Sequence, residues 1–395
     1  MATLGNRIDF RAVRRPALAA VVALALGVLL GPMGLRLLRP QLLEDGARIE
    51  TISEIVLLIC LFCVGLRLRM PIDWRSWHLP LRLATLTTLA TFALTTAAAH
   101  LIFDMNLAAA LLLAAIVTPT DSVLACECVH PDPEHESLTL SLAAESGVNG
   151  GISTVLVLAV LGMMGLAEAG TTTLSSIGLA AAWAVAGGFA AGWVIGAGMA
   201  RGILLIDPER QAEFLEEVSI FAAAALAYGA ALAIHTNGFL AVLAAGVALA
   251  HGGRFRRPLR NKALMPRLLR VANRIERYCW LAIIVLLGTL IASVEFHARM
   301  LVFAIVLMLL VRPLAVRLGL GGLAIPDMQW RGIAWFTARG VATLYGLSLA
   351  INHGLEPVLA RQLAGITVVV LVSSILASAA SGLPLSRSSP GTVAF

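Results

Sequence analysis

Apolar stretches of about twenty residues recur along the chain, separated by short polar connections that carry most of the arginines. A helix of that length crosses the hydrocarbon core of a bilayer, roughly 30 Å at about 1.5 Å per residue. Twelve spans are predicted, over residues 16–38, 51–68, 80–103, 106–127, 137–163, 174–200, 213–234, 237–251, 279–294, 298–318, 330–351 and 359–381. The stretches are continuous and lack the alternation of a barrel strand. Helices remain, because lipid offers no partner to an unpaired backbone group. The predicted fold is therefore an all-α polytopic membrane protein, with residues 1–395 as one membrane domain. The first apolar run follows Arg11, Arg14 and Arg15, but it is too long for a signal-peptide core and lacks a small-residue cleavage site. It reads as the first span.

Composition agrees. Of 395 residues, 59% are apolar and 13% charged, against roughly 45–50% and 25% in soluble domains. A cytosolic enzyme, a nucleic-acid binder and a secreted disulfide scaffold are excluded, and the lipid bilayer is the expected partner. The net charge of +6 bears on orientation. With the N-terminus inside, 22 of the 29 Lys and Arg residues fall in cytoplasmic segments, five outside and two within spans. That split predicts both termini in the cytoplasm of a bacterial inner membrane. The segment 254–277 holds nine of these cations and reads as a basic loop that touches anionic headgroups. Cys60 and Cys63 lie in an apolar run and read as packing residues. The stretch from Cys126 to His135 holds metal-capable side chains, but its spacing matches no zinc pattern, so no metal is expected.

Charged side chains at mid-bilayer cost about 2.5–3.5 kcal/mol on insertion scales, so each one needs a reason. In the fourth span, Asp121 follows Pro119, which removes a backbone donor and clashes with the preceding turn. Thr118, Thr120 and Ser122 flank it. The pattern predicts an interrupted helix with a carboxylate at the break; the alternative is a proline kink with Asp121 as a local cap. In the fifth span, Glu145 and Asn149 are four residues apart and share a face, with Ser146 and Gly150 beside them. Arg339 precedes Gly340, the second predicted helix break, in the eleventh span. Arg339 needs an acid or a helix C-terminus, and Glu145 is the expected partner in a buried structural ion pair. Arg312, before Pro313, reads as an interfacial residue that snorkels. Glu54 reads equally as an ion ligand from another helix or as an interfacial residue. Spans three to five and ten to twelve then form opposed three-helix units, an inverted repeat whose two broken helices cross at the midplane. Gly188, Gly192 and Gly196 predict close helix packing; a hinge is the less favoured reading.

At these residues the chain resembles the monovalent cation/proton antiporters of the first CPA group, the bacterial sodium/proton exchanger type. TPTDSVLA is similar to the family's TPTDPVLA, and AAESGVNGG to its E-(S/A)-G-L-N-D-G segment. LGVLLGPMGLRLL, ETISEIVLLICLFCVGLRL, NGFLAVLAAGVAL, VRPLAV and ARGVATLYGLSLA follow the family's order and spacing. The resemblance implies a homodimer, with a dimerisation or scaffold bundle over 16–68 and 174–294 and a mobile core over 80–163 and 298–381. It implies elevator-like movement. It also implies that Asp121 and Asn149 lie at the helix crossing, and that Thr120, Ser146 and Glu54 help to hold the ion. The departures are Ser122 for the family's proline and Gly150 for its second acid, the residue with which the family binds the cation and exchanges it for a proton. In the family the equivalent of Asp121 mainly neutralises helix ends and bonds to the asparagine. Here Asp121 is the candidate to take over the exchange, with Glu54 or Glu127 as helpers.

Two functions follow. A poorly solvated carboxylate accepts either a proton or a cation, and exclusive occupancy with alternating access gives antiport of Na⁺ or K⁺ for H⁺. Alternatively, the chain is a degenerate paralogue that senses, binds a partner or carries another solute. An intramembrane enzyme has no motif in its favour. No cofactor is expected beyond the transported ions.

Overall fold

The computed structural model describes residues 10–71, 73–121, 123, 133–166, 174–205, 213–252, 258–323, 325, 330, 332–334 and 338–381. Ser122, Glu127 and the rest of 124–132 lie outside the described residues, so the readings placed on them stop there. Among the described residues every regular element is a helix. Seven are long and apolar enough to cross a bilayer, and five shorter apolar helices accompany them. Together they match the twelve predicted spans.

The helices are α1 (Phe10–Leu30), α2 (Gly46–Arg67), α3 (Trp74–Arg82), α4 (Thr88–Phe103), α5 (Leu107–Val117), α6 (Pro133–Met163), α7 (Leu174–Leu205), α8 (Glu213–Ala233), α9 (Gly238–Gly252), α10 (Pro258–Leu290), α11 (Ala298–Val306), α12 (Arg312–Gly319), α13 (Val341–Asn352) and α14 (Pro357–Ser381). A π-turn, Leu83–Thr87, joins α3 to α4, and a second, Leu307–Val311, joins α11 to α12. The third and tenth spans thus carry the same irregularity, and the fourth and eleventh each carry a break. By count, the third and tenth spans run in opposite directions across the bilayer, as an inverted repeat requires.

Lipid is as apolar as leucine, so helices associate through close packing more than through burial of hydrocarbon. The centre of the bundle shows how. All residues of α9 from Gly238 to His251 are buried, and α9 packs between α7 and α2. A Cβ at Gly188, Gly192 or Gly196 of α7 would collide with the backbone oxygen of Asn237, Ala241 or Ala245. On the other side, Gly65 of α2 and Gly246 of α9 let two backbones touch. The glycine stripe is a packing device, as its spacing predicts.

One boundary differs from expectation. The ninth predicted span, 279–294, is the second half of the 33-residue α10. Arginines made its first half read as a loop. In the structure Arg267, Arg270, Arg274 and Arg277 are exposed, while Leu268, Val271, Ala272 and Glu276 are buried. The charges recur at helical spacing on one face, so the segment is an amphipathic helix.

Candidate functional site

Asn106 starts α5, its side chain accepting the Ala109 amide at 2.8 Å. The helix stops at Val117, because Pro119 cannot continue it. Residues 118–121 are non-helical, as are 338–340 ahead of α13. The two breaks meet: the Asp121 amide donates to the Ala338 carbonyl at 2.7 Å. Gly340 lets the two breaks touch: a Cβ there would overlap the Asp121 carboxylate, and the side chain would have to move.

Each break also serves the helix end of the other. Arg339 Nε donates to the Val117 carbonyl at 2.6 Å, at the negative C-terminus of α5. Asp121 lies against Gly340 and the Val341 amide, at the positive N-terminus of α13. A cation at a helix C-terminus and an anion at an N-terminus satisfy end groups that have no partner within their own helix. The Arg339 amide is held in turn by Ser374 Oγ of α14, at 3.0 Å.

The Asp121 carboxylate is half-buried. One oxygen accepts the Val123 amide at 2.9 Å, and the other accepts the Trp280 indole N–H of α10, also at 2.9 Å. Ser146 is brought to the same place, donating to the Thr120 carbonyl at 2.7 Å. Ser153 donates to the Ala115 carbonyl at 2.8 Å and fixes α6 along α5. The Thr118 and Thr343 hydroxyls, beside the two breaks, are buried without a hydrogen-bond partner among the described residues. Against α10 and α14 the crossing is closely packed: the void beside Arg339 and Gly340 measures only about 10 Å³, about one water.

Two expectations are corrected, and a third reading is narrowed. Glu145 does not pair with Arg339. It forms a two-bond ion pair with Arg312, which also donates to the Ile333 carbonyl at 3.2 Å. Glu145 and Arg312 are each 1% exposed, so Arg312 is not a snorkelling residue. It sits directly after the second π-turn, and this places its guanidinium inside the bundle, where a desolvated cation needs an acid. Arg339 Nε donates instead to the Val117 carbonyl at the α5 terminus. Second, Asn149 does not bond to Asp121. Its side-chain oxygen accepts from Thr88 Oγ1 at 2.5 Å, so the amide ties α6 to the start of α4. Third, Glu54, read equally as an ion ligand and as an interfacial residue, makes no hydrogen bond to the residues of the crossing among those described. It accepts from the Tyr228 hydroxyl of α8, and Tyr228 packs through Phe239 towards Tyr345 of α13, with ring centroids 6.0 and 5.0 Å apart.

Gly150 is the position of the departure. A Cβ there would lie 3.4 Å from Leu61 and 3.8 Å from both Leu57 and Ala342, in ordinary van der Waals contact. The backbone thus has room for a side chain, but hydrocarbon faces it. Glu54, Leu57 and Leu61 are three and four residues apart and share one stripe of α2.

The sequence missed Trp280, Thr88 and Tyr228, all uncharged residues in or beside apolar runs. The only signal was general: a buried indole or phenol needs a partner for its polar atom. Among the described residues no cluster of His, Cys, Asp and Glu could hold a metal ion.

Interrupted helices that face each other across a carboxylate are a build used by secondary transporters. A model of the family "Sodium/hydrogen exchanger, transmembrane" matches residues 2–384. The chain belongs to that family and is a multi-pass membrane protein. Its fold is similar to that of the sodium proton antiporter MjNhaP1 from Methanocaldococcus jannaschii at pH 8. The TM-score is 0.68 and the identity 20%, with 93% of this chain and 97% of that chain covered. An electron-microscopy structure of the same antiporter gives 0.69 and 19%, covering 91% and 87%. At this identity the likeness is one of fold.

Proposed function

We propose that the protein exchanges a monovalent cation, Na⁺ or K⁺, for protons across a bacterial inner membrane, with both termini in the cytoplasm. The observation that carries the reading is a half-buried carboxylate, Asp121, at the contact between two helix breaks. A proton and a cation compete for that one group. The Thr120 and Ser146 oxygens, with the Thr118 and Thr343 hydroxyls, supply neutral ligands. Asn149 orients α6 against α4, and Glu145–Arg312 holds α6 in place. Residues 80–163 and 298–381 move as a core against 16–68 and 174–294, the scaffold of a homodimer. Family membership and the shared fold support the exchange; the elevator movement and the choice of cation are our own reading.

A second reading has its own observation. Leu57 and Leu61 face the place where Gly150 lacks an acid, which favours a degenerate paralogue that senses, binds a partner or carries another solute. One experiment separates the two. The protein is reconstituted in liposomes with a pH-sensitive dye and an imposed Na⁺ or K⁺ gradient. Antiport gives cation-dependent proton flux that Asp121→Asn abolishes. A folded protein that moves no protons with any alkali cation, and gains flux on Gly150→Asp, supports the second reading.

A further inference from the structure

A cavity of about 580 Å³ lies away from the helix crossing. It opens between the α1–α2 connection, the α10–α11 connection, the end of α4 and the start of α14. These segments all follow odd-numbered spans or precede even-numbered ones, so they share one membrane face. The cavity sits at the span ends.

Its lining has two characters. Leu42, Phe103 and Met300 form an apolar floor, and Arg299, Arg361 and His297 face the same space. Arg299 is the second residue of α11 and Arg361 the fifth of α14. Neither helix carries an acid in its first turn, and the His297 side chain makes no capping bond. A helix N-terminus is positive, so an arginine placed there opposes the helix dipole. Glu356 stands at the N-cap of α14, but among the described residues it forms no ion pair with Arg361. Arg299 approaches Asp104 only to 3.9 Å, with the two side chains 70% and 88% exposed, and such a pair is worth little. Arg361 donates to the Pro357 carbonyl of its own helix at 3.2 Å. The one acid in the lining, Glu295, forms no ion pair with either arginine among the described residues. Two guanidinium groups therefore line one space with apolar neighbours, beside the start of α11, which has no acid at its cap or in its first turn. When local features disagree with their own helix, a ligand of opposite charge is the consistent resolution.

We propose that this cavity binds the headgroup of an anionic phospholipid, its phosphate between Arg299 and Arg361 and its glycerol and first methylenes over Leu42, Phe103 and Met300. Arginine's planar fork suits phosphate oxygens. The apolar floor distinguishes lipid from a free anion, which gains nothing from it. Binding does not depend on the antiport reading. Its consequence does: the site joins α1–α2 and α10 to α11 and α14, so an occupied site links the proposed scaffold to the proposed core.

The test is native mass spectrometry of the full chain in neutral detergent. It is titrated in separate arms with phosphatidylglycerol, phosphatidylcholine and inorganic phosphate. The expected result is one tightly retained phosphatidylglycerol, no comparable phosphatidylcholine and no retained phosphate. Arg299→Gln and Arg361→Gln each weaken retention by about tenfold, the scale of one charge-assisted hydrogen bond. The exposed Arg48→Gln leaves it unchanged. Glu295→Gln strengthens retention by removing a like charge, and it keeps the test decisive if an arginine variant fails to fold. Equal retention of both lipids, retention unchanged in the double arginine variant, or capture of inorganic phosphate in place of lipid each overturns the proposal.

Discussion

At the scale of single residues, the bundle holds charges of two kinds: a buried ion pair, and the half-buried carboxylate proposed to exchange. Glu145 and Arg312 are both buried and satisfy each other through two hydrogen bonds. Such a pair fixes geometry more than it adds stability, because desolvation offsets most of the attraction. Losing one partner is a different matter, since it leaves a bare charge. Glu145→Gln is expected to destabilise the fold by about 3–5 kcal/mol, seen as a lower unfolding temperature in detergent. Glu145→Leu with Arg312→Met should return most of that loss, because two apolar side chains need no partner. If Glu145→Gln unfolds at the wild-type temperature, the pair is not the strut described. Asp121 differs in kind. It is half-buried, and its bonds to the Val123 amide and Trp280 are ones a competing ion can displace.

At the scale of elements, the sequence revealed the helices more fully than their partners. Twelve apolar runs located twelve spans, and Pro119 and Gly340 marked both breaks. Local chemistry sufficed there, since a missing amide or a missing Cβ acts within its own turn. The first half of α10 was read as a loop because charge density hid an amphipathic period. The pairing of Arg312 with Glu145 was missed because the two residues are 167 positions apart and only the folded bundle joins them. Ser146 and Thr120, both expected near the crossing, are joined there by one hydrogen bond; Asn149 bonds to Thr88 instead of Asp121, and Glu54, left open between an ion ligand and an interfacial residue, accepts from Tyr228. Trp280 went unseen although it links α10 directly to the crossing. Its indole N–H occupies one carboxylate oxygen of Asp121, and on the proposed mechanism it competes with the cation for that oxygen. A hydrogen bond to a charged group contributes about 1.5–3 kcal/mol. Trp280→Phe keeps most of the buried volume and removes the donor. The apparent KM for the cation in liposome exchange is then expected to fall by roughly tenfold or more. An unchanged KM with a collapsed maximal rate would instead make Trp280 a packing residue.

At the scale of the whole molecule, the number of exchangeable carboxylates sets the electrical behaviour. Arg339 is committed to the end of α5, and Glu145 to Arg312. Gly150 contributes no acid. On the proposed mechanism Asp121 alone exchanges, one proton for one monovalent cation, so no net charge crosses the membrane in a cycle. Glu54 is the carboxylate that would change this count. It lies on the α2 stripe that faces Gly150 but is held by Tyr228. If Glu54 joined Asp121, two protons would move against one cation, with one net charge per cycle. A potential of 100 mV acts on one charge with about 2.3 kcal/mol, which is roughly a fiftyfold change in the balancing ion ratio. Liposomes clamped with valinomycin and a K⁺ gradient, with Na⁺ as the exchanged ion, distinguish the two counts. The expected outcome is a balance point that does not move with potential, in the wild type and in Glu54→Gln alike. A fiftyfold displacement in the wild type that Glu54→Gln removes would assign the second proton to Glu54, and the single-carboxylate mechanism would fall.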